Sequence, residues 1–458
     1  MKLFKLFQFL TLTLVLASCS KSDFLDKKPT TSITTPTTLK DFQLLLENTN
    51  VMGYTSGLPQ MGSDDYFLNY DDYKITSNTE RNSYIWAKEI YNGDVDIQDW
   101  NSLYKQILYA NTVLEGLEKS NEKATNLGQY LGGWARFYRA YAYFDLARTF
   151  CKSYNITSAN MDLGVPLKLT GGIDNLEKRA TLQKTYEQIL SDLQLSENVL
   201  PIDRSAFNPN RPSKVSLYAL LARIYLDMGN YPKALENSDK CLALYSKLIN
   251  YNTLSTSSKN PFTNTNDEML FATNTVVAYS YLTGAFQFNS SRIEPTLYNS
   301  YGVNDLRRSI YFISYGDGTF NKKRMLSTGN YPFTGLSTNE IYLIKAECLA
   351  RNNSTSEAMA VLNSLLVTRF KTTPAYVPLT ATSPEEALSK ILLERRKELI
   401  WRGLRWHDLK RLNRDGANIT LTRILNGITY TLPPNDARWV YPIPDDEIAL
   451  SGIQQNVR

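Results

Sequence analysis

Two blocks of helical periodicity constrain the fold of this 458-residue chain more than any other feature of its sequence. The first block covers about residues 99–251 and the second about 338–413, and in both the apolar residues recur at helical spacing. Helix starts are well marked in the second block, where Ser337–Glu340 and Ser354–Glu357 fit a capping box and Ser383-Pro384 places proline at the first helical position. The sequence therefore predicts a mainly α-helical fold.

Small residues at matched positions divide parts of both blocks into helix pairs. In the first block, Ala222 and Ala234 flank a turn at Gly229-Asn230, and in the second block Ala346 and Ala358 repeat the same twelve-residue interval. Small side chains let two helices approach closely, as tetratricopeptide units require. The two pairs are far apart in the chain. The spacing therefore predicts tetratricopeptide-like pairs within a scaffold that carries insertions, and not a regular solenoid.

Two irregular regions, at about 50–98 and 252–336, are rich in Tyr, Asn, Ser, Thr and Gly, and 273–278 and 279–288 could form short strands. Irregular regions of this length on a rigid scaffold commonly carry function. Aromatic rings stack on the C–H faces of sugars, while amide and charged groups bind sugar hydroxyls. The candidate ligand-binding residues are therefore Tyr66, Arg81, Asn82, Trp86, Tyr279, Tyr281, Tyr301 and Tyr315. Loop packing and contact with a partner protein are the other interpretations of each aromatic residue.

The N-terminus has the pattern of a lipoprotein signal peptide. Lys2 and Lys5 precede an apolar stretch over residues 6–16, and the sequence Leu16-Ala17-Ser18-Cys19 ends in small residues followed at once by cysteine. We expect residues 1–18 to be removed and Cys19 to be acylated, with palmitate among its acyl chains. Residues 19–40, poor in large apolar groups, are predicted to be a flexible lipid-anchored tether before a domain over 41–458.

Charge and composition argue against several function classes. Removal of residues 1–18 takes away two lysines, so the formal charge falls from +5 to +3, which does not indicate a nucleic-acid-binding protein. The remaining cysteines, Cys151, Cys241 and Cys348, are widely spaced and predicted to be buried free thiols. No cysteine pair has metal-ligand spacing and no glycine-rich phosphate loop occurs, so neither a metal nor a cofactor is expected.

Enzymatic activity is not expected from the available side chains. The only histidine, His407, would have to serve any Ser-His-Asp or Cys-His arrangement, and its neighbours Trp406 and Asp408 favour a structural role. A glycoside hydrolase needs two carboxyl groups across a cleft. Adjacent acids such as Asp64-Asp65 and Asp71-Asp72 do not show that geometry, although they leave a glycan hydrolase as a minor alternative.

An ordered series of motifs resembles the SusD/RagB family, the nutrient-binding outer-membrane lipoproteins of Bacteroidota. The series covers nearly the whole chain, and its most specific parts lie near the C-terminus. Its members are Trp134–Phe144, Gly164–Leu167, Glu340–Glu347, Ile391–Leu399, Gly403–Arg411 and Tyr441–Pro444. Within it, the charged stretch Glu394–Glu398 is predicted to form an ion-pair network that fixes its helix to neighbouring elements.

The resemblance implies a SusD-like fold with tetratricopeptide-like helix pairs, long irregular loops and a few short strands. It also implies a non-catalytic surface lipoprotein of the outer membrane that captures an oligomeric nutrient, most simply a glycan. The partner implied is a SusC-like TonB-dependent outer-membrane transporter, which receives the ligand. A peptide-binding member of the same family is the alternative.

Overall fold

The computed structural model describes residues 36–172, 176–263, 265–284, 290–323 and 331–458. The chain divides into two units, residues 1–37 and 38–458, and the second contains every helix and strand named below. The predicted signal peptide (1–18), Cys19 and most of the predicted tether lie outside the described residues. None of the helices in the described ranges is both long enough and apolar enough to cross a membrane.

The N-terminal region contains more helix than its composition predicts. Its elements are α1 (Leu39–Glu47), β1 (Tyr54–Thr55), α2 (Leu58–Gly62), β2 (Tyr66–Phe67), α3 (Tyr70–Ile75) and α4 (Asn78–Tyr84). Helix α4 begins with a capping box in which the Ser77 hydroxyl accepts from the Glu80 amide and the Glu80 carboxylate accepts from the Ser77 amide. Such short helices have too few turns to show a periodicity that a sequence pattern could reveal.

The first predicted helical block is confirmed. It contains α5 (Gln98–Lys119), α6 (Asn126–Phe150), β3 (Leu163–Pro166), β4 (Arg179–Thr181), α7 (Leu182–Glu197), α8 (Lys214–Asp227) and α9 (Tyr231–Leu244). Consecutive helices pack against each other, and α6 lies between α5 and α7 with most of its surface buried. Trp100 on α5 and Trp134 on α6 are buried in this core, as the apolar spacing predicts.

Short elements follow in the second irregular region. They are β5 (Met269–Phe271), β6 (Asn274–Thr275), β7 (Arg292–Ile293), α10 (Pro295–Asn299), α11 (Arg307–Ile310), β8 (Phe312–Ser314), β9 (Phe320–Lys322) and β10 (Leu336–Ser337). Residues 279–284 form turns, so the strand expected over 279–288 is wrong for its described part. The parallel β1–β6 pair and the antiparallel β2–β7 pair tie this region to the N-terminal elements.

The second helical block contains α12 (Thr338–Arg351), α13 (Thr355–Leu366), α14 (Pro384–Glu398) and α15 (Arg405–Arg414), and the β11–β12 hairpin (Leu421–Leu425, Ile428–Leu432) and α16 (Asp445–Ser451) follow. Ser383 caps α14 as predicted. Ser337 and Ser354 do not cap their helices, and the Ser337 hydroxyl donates to the Asn339 side chain instead. Helix α14 ends at Glu398, and the turn that follows includes Trp401 in a left-handed conformation with a φ of +61°.

The predicted tetratricopeptide-like pairs are α8–α9 and α12–α13. All four alanines at the matched positions, Ala222, Ala234, Ala346 and Ala358, are fully buried between helices. Helix α9 also packs on α12, so the two pairs are adjacent in space although they are separated in sequence. The fold is therefore an arrangement of tetratricopeptide-like helix pairs with long irregular insertions, as the resemblance implies.

The charged stretch of α14 forms the predicted ion-pair network. Arg307 on α11 binds Glu394 and Glu398, and Arg369 also binds Glu398. Arg395 binds Asp408 on α15. These side chains are buried, so α14 is joined to α11 and α15 by ionic contacts from which most water is excluded.

Elsewhere in the molecule, the three predicted free cysteines are confirmed as buried and unpaired.

Candidate functional site

Tyrosines of α3 and of the segment after β8 lie near one another, linked through Asp72 and Arg292. Tyr70 and Tyr73 are neighbours on one face of α3, with ring centroids 6.3 Å apart and ring planes 18° from parallel. Tyr315 lies just beyond β8, and the Arg292 guanidinium on β7 covers its ring at 4.8 Å. We call the set of Tyr70, Asp72, Tyr73, Tyr281, Arg292 and Tyr315 the aromatic surface.

Strand pairing positions Arg292 at the centre of this surface. Phe67 of β2 is opposite Arg292 of β7, which brings the β7 side chain beside α3. There the Arg292 guanidinium donates to the Asp72 carboxylate at 2.6 Å. The Tyr315 hydroxyl accepts from the Asn321 amide at 2.7 Å and donates to the Ser291 carbonyl at 3.4 Å. The Tyr315 ring is thus fixed at both its face and its hydroxyl.

Tyr281 is attached to the same region through its backbone. Its amide donates to the Glu80 carboxylate of α4 at 3.1 Å, and its carbonyl accepts from the Ser290 amide at 2.9 Å. Burial raises the pKa of Glu80, while the Ser77 hydroxyl and the amides of Tyr281 and Leu282 act in the opposite direction. Glu80 is therefore an anchor for the loop that presents Tyr281, because its hydrogen bonds are made within the protein.

The aromatic surface offers the groups that sugar binding needs. Tyr70, Tyr281 and Tyr315 are 42%, 36% and 41% exposed, so each presents part of a ring to solvent. The Arg292–Asp72 pair lies beside Tyr315 and carries both donor and acceptor groups. A partly exposed ring beside a charged pair can stack on a sugar face while the polar groups bind hydroxyls.

Two of the predicted ligand-binding residues, Tyr66 and Trp86, belong to the core instead. Trp86 is 2% exposed, and its indole N–H donates to the Gly62 carbonyl at 2.9 Å. Tyr66 is equally buried, and its hydroxyl donates to the Met61 carbonyl. Both rings pack on the guanidinium of Arg423 from β11, at 5.0 Å for Tyr66 and 4.7 Å for Trp86. Neither ring has a face left for a ligand, because Arg423 and the surrounding core cover them.

Tyr279 and Tyr301 are also buried by long-range contacts. The Tyr279 hydroxyl donates to the Asp99 carboxylate of α5 at 2.5 Å, and the Tyr301 hydroxyl donates to the Lys397 carbonyl of α14 at 2.7 Å. Each of these bonds fixes part of the irregular region to a scaffold helix. Burial of these two tyrosines likewise leaves no ring face for a ligand.

Arg81 and Asn82 are half-buried, and their side chains donate hydrogen bonds to backbone carbonyls. The Arg81 guanidinium donates to the carbonyls of Lys74 and Thr76 at the end of α3, and the Asn82 amide donates to the Ile90 carbonyl at 2.9 Å.

Of the eight predicted ligand-binding residues, the structure thus brings only Tyr281 and Tyr315 to the exposed surface. Tyr70, Asp72, Tyr73 and Arg292 were not selected, although the Tyr70–Tyr73 spacing on one helical turn was a readable signal.

The core position of Trp86 gives a testable prediction. Trp86→Phe is expected to lower the free energy of unfolding by about 1–3 kcal/mol, because the Gly62 carbonyl loses its buried donor. Ligand binding should be unchanged. Urea unfolding and a binding titration on the same preparation measure the two effects. Weakened ligand binding with an unshifted unfolding transition would contradict the core role and indicate that Trp86 contacts the ligand.

Asp64, Asp65 and His407, which were considered above for hydrolase chemistry, are paired or buried. Asp64 and Asp65 both bind arginines, Asp64 through Arg405 at 2.7 Å and Asp65 through Arg396 at 3.1 Å. Burial raises the pKa of Asp65, whereas Arg405 and Arg396 outweigh burial at Asp64 and hold its pKa below the ordinary value. His407 is buried, and burial together with the nearby cations Arg148 and Lys410 lowers its pKa well below the usual range.

The fold defines a class of proteins in which tetratricopeptide-like helices carry long irregular loops. A sequence profile described as "starch-binding associating with outer membrane" matches residues 23–226, and the profile of the SusD family matches residues 300–457. The chain belongs to the SusD/RagB family. A SusD-like protein of Formosa agariphila is 25% identical over 374 residues, covering 68% of this chain and 71% of the relative.

Solved structures agree on the fold. A SusD superfamily protein from Bacteroides thetaiotaomicron superposes with a TM-score of 0.73 at 21% identity, covering 92% of this chain and all of that one. A laminarin-binding SusD-like protein superposes with a TM-score of 0.63 at 18% identity, covering 91% of this chain and 98% of that one. At these identities the likeness extends to the fold and not to individual ligand contacts.

Proposed function

We propose that this chain is a non-catalytic, lipid-anchored protein of the outer membrane that captures an oligosaccharide at the aromatic surface. The observation that carries the proposal is the exposed Tyr315 ring beside the Arg292–Asp72 pair, with the exposed Tyr70 on the same helix as Asp72. The family profile described as starch-binding and the laminarin-binding structural relative support a glycan as the ligand class. The predicted acylation of Cys19 would hold this surface at the membrane.

Delivery to a TonB-dependent transporter is the second part of the proposal. A protein that binds a nutrient without converting it needs a partner that takes the nutrient across the membrane. Modest affinity suits that role, since the ligand has to be released to the partner. Co-purification of a transporter with the lipidated chain from detergent-solubilised outer membranes tests this part separately from ligand binding.

The ligand proposal is tested with purified residues 20–458. We expect Tyr315→Ala to weaken binding of its best oligosaccharide about threefold to tenfold, because one stacking contact is worth about 0.5–1.5 kcal/mol. Isothermal titration against a panel of oligosaccharides and peptides measures the affinity. The melting temperature should change little, since the Tyr315 ring is 41% exposed.

A matched control for Tyr315→Ala is Tyr218→Ala. Tyr218 is half-buried on α8, where its hydroxyl donates to Glu197 and it contacts no residue of the aromatic surface. Its loss should leave oligosaccharide binding intact. Equal weakening in both variants would place the ligand elsewhere, and binding of peptides but of no glycan would favour the peptide-binding alternative.

A further inference from the structure

A concave site is lined in part by the β8–β9 hairpin. It is a cavity of about 500 Å³ between α10, α11, the hairpin and the segments around 256–259 and 371. We call it the basic cavity, because four of its lining residues are cationic: Lys259, Arg308, Lys323 and Lys371. The mature chain carries a formal charge of only about +3, so this concentration of cations is local.

The cavity contains one carboxylate among its lining residues, Asp305, whose charge is already matched. Asp305 binds Arg307 at 2.7 Å and Lys397 at 3.3 Å, and these two cations belong to the buried network around α14. Within the described ranges, Arg308, Lys323 and Lys371 have no carboxylate partner. The basic cavity therefore has an excess of positive charge at a concave surface, where potential is concentrated.

Lys323 is the most informative of these cations. Its side chain is buried, and its ammonium donates to the carbonyls of Thr256 at 2.5 Å and Ser309 at 2.7 Å. Burial lowers the pKa of Lys323. An ammonium has three N–H donors, so two neutral carbonyls leave one donor and the full charge without compensation. An anion entering the cavity would supply an acceptor for the third N–H and a negative charge that balances the ammonium.

An aromatic wall adjoins the cations. The rings of Tyr298 and Phe320 are stacked, with centroids 3.7 Å apart and planes 14° from parallel, and the Arg308 guanidinium lies 4.9 Å from the Tyr298 ring centroid. Stacking on Tyr298 limits the orientations of the planar guanidinium, which can present paired donors to a carboxylate or sulfate. Because Phe320 and Arg308 both lie against Tyr298, the partly exposed Phe320 ring is the apolar part of this wall that a sugar could contact. An apolar ring beside cations suits a sugar that carries an acidic group better than it suits a free inorganic ion.

We propose that the basic cavity is a second saccharide subsite, which binds a sugar unit bearing a carboxylate or a sulfate group. This inference rests on the proposed glycan-binding function and narrows it, since the captured oligosaccharide is then anionic. The β8–β9 hairpin contributes to both sites, with Tyr315 on the aromatic surface and Phe320 in the basic cavity.

The test compares three probes on purified residues 20–458: an oligogalacturonate, a heparin-derived oligosaccharide and a neutral laminari-oligosaccharide. At least one anionic probe should bind more tightly than the neutral probe, and the comparison between the two anionic probes separates carboxylate from sulfate recognition. Arg308→Ala/Lys371→Ala should weaken the anionic probe by roughly tenfold or more, because hydrogen bonds to charged groups are the strong ones. Its effect on the neutral probe should be small.

Lys105→Ala/Lys119→Ala is the matched control, since it removes the same charge from exposed positions on α5. Equal weakening of the anionic probe by both double variants would overturn the subsite, because a general charge effect would then explain the binding. If Arg308→Ala/Lys371→Ala melts early, Lys371→Glu alone replaces it, and retained anionic binding in that variant would also overturn the subsite.

The probes also distinguish failure of this inference from failure of the proposed function. Binding of the neutral probe alone would overturn the anionic subsite and leave oligosaccharide capture standing. Binding of no saccharide from this set or from the wider oligosaccharide panel would overturn both. Binding of an anionic probe that the basic-cavity variant loses, and the α5 variant keeps, supports the subsite.

Discussion

Glu398→Ala is expected to lower the free energy of unfolding by about 3–5 kcal/mol, because the buried cations Arg307 and Arg369 each lose one of the carboxylates that balance their charge. The Glu398 carboxylate accepts from Arg369 at 2.7 and 2.9 Å, from Arg307 at 3.1 Å and from the Asn339 amide at 2.8 Å. It therefore links α14 to α11, α12 and the segment after α13. Urea unfolding of residues 20–458 measures the loss.

Glu386→Ala provides a control on the same helix. Glu386 pairs with Lys390 one turn away at 2.6 Å, but more than a third of each side chain is exposed. An exposed pair of this kind contributes little, so the unfolding midpoint should hardly move. A similar loss of unfolding free energy in the two variants would show that the network around Glu398 contributes no more to stability than a surface ion pair does.

The contribution of Glu398 to stability should also depend on pH. Burial pushes the pKa of Glu398 upward, but Arg369 and Arg307 outweigh burial and hold it below the ordinary value. A carboxyl whose pKa is lower in the folded protein than in the unfolded chain adds stability above the unfolded pKa, about 4.3 for glutamate. That stability is lost as the pH falls further. The decline of stability below about pH 4.5 should therefore be less steep in Glu398→Ala than in the parent protein.

The scaffold could be predicted from the sequence because its signals are local. Apolar spacing within one helix is set by the turns of that helix, and it located α5–α9 and α12–α15 with small errors at the ends. The interval between Ala222 and Ala234 spans one helix pair, so it too is a local signal.

The candidate site could not be predicted as well, because burial in the irregular regions depends on distant residues. Trp86 packs against Arg423, Tyr279 binds Asp99, and Tyr301 binds the Lys397 carbonyl. No spacing rule relates partners so far apart in the chain. An isolated tyrosine in a polar stretch has the same appearance whether its ring meets solvent or a helix, which is why only Tyr281 and Tyr315 of the selected aromatics are exposed.

Cys19→Ala is expected to abolish lipid attachment completely. Each buried CH₂ of an acyl chain adds about 0.8 kcal/mol of membrane affinity, so two or three chains on one cysteine exceed any contribution from the protein surface. Without the thiol there is no acceptor for the first acyl group, and processing that depends on acylation should stop. Incorporation of labelled palmitate should vanish, and the chain should accumulate as a precursor that retains residues 1–18.

Cys151→Ala separates loss of the anchor from loss of any cysteine. Cys151 is buried after α6, and burial raises the pKa of its thiol, so it is a poor nucleophile and is inaccessible to a membrane enzyme. This variant should incorporate label and be processed normally. Label retained in Cys19→Ala would refute the anchor.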